Sequence, residues 1–369
     1  MTDKARKKKF LIIGILAAFI FVGVGVGSYL GQTKKGISTG TAIQGAVGFR
    51  DLKSGGYDPA ASGKQVLTIK TDTKKNCGST PWVIAEKKGF FAAEGLNVVY
   101  TGELTNAQIL PSVLNGTNNV ATANFNALAT YIAAGAKIKA VTLNGVDPTP
   151  DVDPKYRHMR YYLSPKLGVN TLAELVALRQ SQNKKVTING TKPVCTTFIA
   201  DNAFDRLGHG RENIQFVSFD SDTAALQAAQ QGNLDIVGVH PPFYKLAADS
   251  KLTMVFDTVD TGLGEAAGVS AYYFTEKFIE ENPEAVARFV RAIRKANAWS
   301  INPANEEEAI RLTGEYIGQP VNAVHYYYTG KELPDKLIQP WIDDLVQDGF
   351  LKKGQLSVDD LATRQFFVN

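Results

Sequence analysis

Two short stretches of this chain place hydrogen-bond donors at the start of a helix. In "NCGSTPWVIAE", residues 76–86, the run Asn76, Cys77, Gly78, Ser79 and Thr80 leads straight into an apolar helix. In "KPVCTTFIAD", residues 192–201, Cys195, Thr196 and Thr197 do the same. Ser79 or Thr80, and Thr196 or Thr197, are natural N-caps, because their side-chain oxygens accept from first-turn backbone amides. Amides left uncapped there are donors, and the helix dipole favours an anionic group beside them. Serine and threonine cap helices everywhere, so either loop alone is ordinary. The same placement occurring twice, each time with one of the chain's two cysteines, points to paired loops facing one ligand.

Patterns for covalent or metal-assisted catalysis are missing. The chain has no G-x-S-x-G, no H-E-x-x-H and no paired carboxylates in a suitable loop. Gly262, Gly264 and Gly268 make a G-x-G-x-x-x-G that lacks the dinucleotide spacing and leads into the strand-like "VSAYYF". It reads as a hinge. No enzyme activity, no cofactor and no resident metal are expected.

The elements that must carry the two loops come in a pattern that occurs twice. The first copy is strand "VLTI", polar loop, helix "TPWVIAEKKGFFAAEG", strand "LNVVYT", helix "NAQILPSVLNG" and strand "VATAN". The second is strand "KVTIN", loop "GTKPVC", helix "TTFIADNAFDRLG", strand "NIQFVSF", helix "SDTAALQAAQQG" and strand "LDIVGV". Strands alternating with helices of this length predict parallel sheets wound by right-handed crossovers. Ligands then sit beyond the carboxyl ends of the strands, against helix N-termini. Two such units facing each other would enclose a cleft. Segment 257–278 returns the chain to the first unit. Three amphipathic helices follow, of which "NPEAVARFVRAIRKANAWS" carries Val286, Phe289, Val290 and Ile293 on one stripe. Their aromatic residues read as core.

At 369 residues the chain has room for about two domains, and its composition is that of a globular protein. The N-terminus differs. Lys4, Arg6, Lys7, Lys8 and Lys9 precede an uncharged run from Phe10 to Gly31. That run is on the order of the 20 residues a membrane-crossing helix needs, and longer than the roughly 7–15 of a signal-peptide core. It reads as an uncleaved signal anchor with the remainder of the chain outside, a cleaved signal being the alternative. The five basic residues less Asp3 account for the whole formal charge of +4, so the rest is close to neutral and offers no nucleic-acid face. Residues 32–63, rich in Gly, Ser, Thr and Ala, read as a flexible linker. Two cysteines do not make a disulfide scaffold.

Taken in order, "PWVIAEKKGFFAAEGLNV", "LPSVLNGTNNVATANFNALATYIAAGAKIKAV" and "LQAAQQGNLDIVGVHPPF" resemble the solute-binding proteins of ABC importers in the nitrate, sulfonate, taurine and thiamine-precursor group. The resemblance covers roughly residues 65 to 350. It implies a type II periplasmic-binding-protein fold of α/β class, with two doubly wound lobes and a cleft between them. The first lobe would be 64–158 with 265–369, and the second 159–264. The protein would capture a small solute and deliver it to ABC permease and ATPase subunits, acting as a monomer held to the membrane by its N-terminal helix. A thiamine-precursor (pyrimidine) binding protein and a membrane-tethered ligand sensor are the alternatives. A related pyrimidine synthase uses a cysteine-rich "CCCFC" pattern that this chain lacks.

Carried onto this sequence, the resemblance implies binding loops at 71–80, 124–126, 143–144, 191–197 and 240–243. The residues it marks are Thr71, Asn76, Cys77, Gly78, Ser79 and Thr80, then Asn124, Phe125 and Asn144. In the second lobe they are Thr191, Cys195, Thr196, Thr197, His240 and Phe243. His240 stands where the family often has Glu before Pro-Phe, which favours an anionic or neutral polar ligand over a cation. Lys74, Lys75 and Lys192 sit in loops near the cleft, and Trp82 has the setting of a packing residue. Cys77 and Cys195 would meet only on lobe closure. A soft-metal complex with His240, a thiol-bearing ligand and a redox latch stand beside the plainer role of shaping a pocket.

Overall fold

The computed structural model describes residues 57–73, 78–219, 221–318 and 320–367. The signal anchor (1–31), residues 32–56 of the linker, Lys74, Lys75, Asn76 and Cys77 lie outside them. Among the described residues no helix is long and apolar enough to cross a membrane.

Strand β1 (Leu67–Thr71) pairs in parallel with β2 (Leu96–Tyr100). Strands β3 (Val120–Asn124) and β4 (Ile138–Leu143) are the outer members of a three-stranded sheet. The next five strands are β5 (Arg160–Leu163), β6 (Val186–Asn189), β7 (Ile214–Val217), β8 (Ile236–Val239) and β9 (Thr253–Asp257). They form a third sheet, the second lobe's, in the order β7-β6-β8-β5-β9. Strand β10 (Ser270–Thr275) then returns to lie between β3 and β4. The fold is the two-lobe type II arrangement.

The expectation of parallel sheets holds for β1–β2, β6–β7 and β6–β8. It does not hold for β5, antiparallel to β8 and β9, or for β10, antiparallel to β3 and β4. These two are the first strands after the chain passes from one sheet to the other. A strand that follows a helical crossover re-enters its sheet from the same end as its predecessor. A strand arriving from the other lobe enters from the facing end and runs the opposite way.

The helix expected over 80–95 is two helices, Thr80–Lys87 and Phe90–Ala93. They part at Gly89, whose φ of +69° is left-handed and free of strain only without a Cβ. The first of them is buried nearly all round, with Val83, Ile84 and Ala85 in the core. It packs with the Pro283–Ser300 helix, which buries the foreseen stripe of Val286, Phe289, Val290 and Ile293. Trp82 is part of this core. Its ring lies 5.0 Å from Phe91 and 5.5 Å from Phe289, and its Nε1–H donates to the Tyr100 hydroxyl at 2.6 Å. In the other lobe Asp235, of the "GNLD" landmark, accepts from the Thr187 amide at 2.9 Å and from Arg179 Nε at 2.9 Å. That aspartate ties β6 to the Leu172–Ser181 helix, so the landmark is structural.

Candidate functional site

A cavity of about 430 Å³ opens between the two lobes. From the first lobe come Gly78, Asn106, Thr122, Ala123, Asn124, Asn144, Gly145 and Ser270. From the second come Asn189, Gly190, Thr191, Val194, Cys195, Thr196, Ser218, Phe219, Ser221, Asp222 and His240. His158, on the segment crossing from β4 to β5, and His325 and Tyr327, from the chain after the Glu306–Ile317 helix, complete the wall. These residues lie at the ends of strands because there the backbone leaves its ladder and side chains face open space.

Seven of the residues marked from sequence line this cavity: Gly78, Asn124, Asn144, Thr191, Cys195, Thr196 and His240. Others are placed elsewhere. Thr71 and Ser79 line a smaller adjoining space of about 50 Å³ with Asp72, Trp82, Tyr272 and Tyr316. Thr80 is fully buried, its hydroxyl 2.8 Å from that of Thr313. Phe125 is fully buried in the core beside Leu128. Thr197 turns its hydroxyl back to the Val194 carbonyl at 3.0 Å. Phe243 packs against the Val239–Tyr244 cluster. For Thr80, Phe125 and Thr197 the helix winds each side chain about 100° away from its neighbour, so adjacent residues cannot all face the cleft.

Capping also departs from expectation. Ser79 holds the N-cap position of its helix without capping through its side chain. The second helix, Cys195–Arg206, begins one residue earlier than foreseen, with Val194 as N-cap. Its N-terminus is aimed at the cavity, and the Thr196 carbonyl is fixed by the Tyr161 hydroxyl at 2.6 Å. First-turn amides there lack intrahelical acceptors and favour an anionic ligand atom.

No Lys or Arg lines the cavity among the described residues, and Asp222 is the one carboxylate. Lys192 is instead drawn to the side, 2.6 Å from Asp201 and 2.6 Å from Asp348. The polar wall is therefore made of neutral donors and acceptors. Asn124 Nδ2 donates to the Val269 carbonyl at 3.0 Å, which holds its amide at the cavity edge. Asn144 Nδ2 donates to the Gly78 carbonyl at 3.3 Å, and its Oδ1 is buried without a hydrogen-bond partner.

Sequence reading marked His240 and missed the other two imidazoles. His158 and His325 are buried, with Nδ1 atoms 3.2 Å apart and rings stacked at 4.7 Å. Burial first, then the neighbouring imidazoles of His325 and His240, hold His158 well below its ordinary pKa. Burial first, then His240, does the same to His325. Both rings are neutral near pH 7. His240 Nε2 lies 3.4 Å from Cys195 Sγ and its Nδ1 lies 3.2 Å from Asp222 Oδ2.

The NMT1-like family model matches residues 68–314. The fold is similar to that of the periplasmic aliphatic sulphonate binding protein SsuA from Escherichia coli, at TM-score 0.62 and 18% identity over 81% of this chain and 92% of that one. It is similar also to the periplasmic nitrate-binding protein NrtA from Synechocystis PCC 6803, at 0.63 and 13% over 82% and 87%. A ligand-binding component of an ABC-type import system from Staphylococcus aureus, with zinc bound, superposes at 0.61 and 10% over 82% and 98%. No curated protein matches the chain. With the family model matching residues 68–314, the chain belongs to the NMT1-like family.

Proposed function

We propose that this protein is the extracytoplasmic solute-binding component of an ABC importer. A small anionic or polar organic solute enters the cavity between the lobes, 64–158 with 265–369 and 159–264. The lobes close on it and it is handed to a permease and ATPase. The N-terminal apolar run would tether the protein, as a monomer, to the outer face of the membrane. The observation that carries this reading is the cavity itself: about 430 Å³, lined from both lobes by amides and hydroxyls and faced by the N-terminus of the Cys195–Arg206 helix. That volume falls within the roughly 300–1,000 Å³ of small-molecule sites. Neutral donors and a helix N-terminus suit an oxyanion such as a sulfonate or nitrate.

A second reading has an observation of its own. With Asp222 the cavity's one carboxylate, no basic residue among those described and three imidazoles on the wall, a neutral polar heterocycle of pyrimidine type finds both donors and stacking faces. Thermal unfolding of the purified full-length chain with sulfonates, nitrate and pyrimidines separates the two. A ligand at 100 times its Kd should stabilise by about 2.7 kcal/mol. A shift with organic anions alone selects the first reading and a shift with pyrimidines alone the second. No shift with any of them counts against solute capture.

A further inference from the structure

Cys195, His240 and His158 meet on one wall of the cavity. One nitrogen from each ring and the thiol sulfur all lie within 4.8 Å of one another. The His240 Nε2 to Cys195 Sγ distance is 3.4 Å. Zinc–sulfur and zinc–nitrogen bonds of about 2.3 and 2.1 Å at a tetrahedral angle set the two donors about 3.6 Å apart. The pair already has nearly the spacing of one edge of a tetrahedral site.

The outer contact of His240 fixes which of its nitrogens faces inward. An ionised carboxylate only accepts, so Asp222 Oδ2, 3.2 Å away, places the His240 proton on Nδ1 and leaves Nε2 as a lone pair toward the sulfur. Between His158 and His325 the Nδ1 atoms are 3.2 Å apart, so one donates to the other. The donor ring keeps a bare lone pair on Nε2. In both rings Nε2 is buried and has no hydrogen-bond partner. His240 is thus held from behind at Nδ1 by a carboxylate, and His158 meets a third imidazole through its Nδ1. Metal-bound histidines are oriented in this way by their outer partners.

We propose that His158, His240 and Cys195 form a site for a late first-row divalent metal ion of the zinc, cobalt and nickel class. Two imidazoles and a thiolate make a borderline-soft set that selects such ions over magnesium or calcium. Coordination replaces the Cys195 S–H bond with a sulfur–metal bond, and the proton leaves to solvent. Three protein ligands leave a fourth position open to the cavity, where a donor atom of the solute completes the shell. The proposal rests on the reading of this cavity as the ligand pocket and narrows the solute to one that can ligate a metal. A thiol, an imidazole and a carboxylate in line also suit nucleophilic chemistry. The second imidazole close to the thiol is what favours a metal.

The test is cobalt titration of the reduced full-length protein. One equivalent of Co²⁺ should bind with a sulfur-to-cobalt charge-transfer band and the strong visible bands of tetrahedral cobalt. C195S should lose the charge-transfer band, H240A should weaken binding at least about tenfold, and D222N should weaken it by about 10–100-fold while leaving the band position unchanged. Circular dichroism checks that each variant is folded. No cobalt binding, or a charge-transfer band that persists in C195S, overturns the site. So does iodoacetamide labelling of Cys195 that is as fast with metal as without it. Solutes assayed on chelator-treated protein keep the two readings apart. Full solute stabilisation without metal, with no metal uptake, sinks the metal site and leaves solute capture standing. Metal uptake with no response to any organic solute supports the site and sinks organic-solute capture.

Discussion

The backbone of Gly268 lies directly against that of Asp147. A Cβ at position 268 would stand 2.4 Å from the Asp147 amide nitrogen and 2.6 Å from the Val146 carbonyl carbon. The Asp147 N–H donates to the Glu265 carbonyl at 3.0 Å. The two segments that pass between the sheets therefore run in contact, each fixing the other. Replacing Gly268 with alanine should push them apart and cost about 1–3 kcal/mol, the usual cost of overpacking. Urea denaturation measures it, and an unchanged midpoint would mean the segments separate freely.

Thr80 separates packing from binding. Its hydroxyl meets Thr313 at 2.8 Å, and Thr313 keeps a second bond to the Ala309 carbonyl at 2.7 Å. T80V should lose about 1 kcal/mol of stability and leave solute affinity unchanged. An affinity loss above about tenfold in calorimetry would return Thr80 to the binding surface.

Trp82 belongs to the aromatic core with Phe91, Phe289 and Tyr272. W82A should destabilise by about 3–5 kcal/mol, as large aromatic truncations do. A variant of near-native stability with impaired binding would instead make Trp82 a ligand contact.

Asn144 has the opposite profile. Its Oδ1 is buried without a partner at the cavity wall, while its Nδ2 ties the Gly78 loop. N144A should lower affinity for the solute identified by thermal screening by about 5- to 13-fold, since a hydrogen bond to a ligand is worth about 1–1.5 kcal/mol. Unaltered affinity would remove Asn144 from the site.

Asp201 should make stability depend on pH in an unusual direction. Burial first raises its pKa from 3.8 to about 7, partly offset by Lys192. Lys192 keeps some solvent contact and Asp201 keeps none, so the cost of burial falls on the aspartate. The folded chain then holds a proton on Asp201 that the unfolded chain has released. Its contribution is favourable at low pH and is lost as pH rises from about 4 through about 7. Wild type should gain stability relative to D201N, by up to a few kcal/mol, as pH falls from 8 to 5. Parallel pH dependences for the two proteins would contradict this.

Much of the fold was legible because it depends on local chemistry repeated along the chain. Runs such as "VTIN" and "TFIADNAF" carry their own period, and the apolar stripe of 283–300 has one face to bury whatever it meets. Hydrophobic pattern and helix-start chemistry therefore marked the elements, the duplication and the loops. They did not mark the direction of β5 and β10, because strand polarity depends on where the chain enters a sheet and not on which residues it contains.

The site divides along the same line. Residue types marked the two polar helix-start loops with their cysteines, and the resemblance marked His240, because these lie next to strands and helices with clear signatures. Only the tertiary structure turned Thr80, Phe125 and Thr197 inward, moved Lys192 to its aspartates, and brought His158 and His325 from 167 residues apart to 3.2 Å. Side-chain direction within a loop and contact between distant segments are set by packing of whole lobes, which no local pattern encodes.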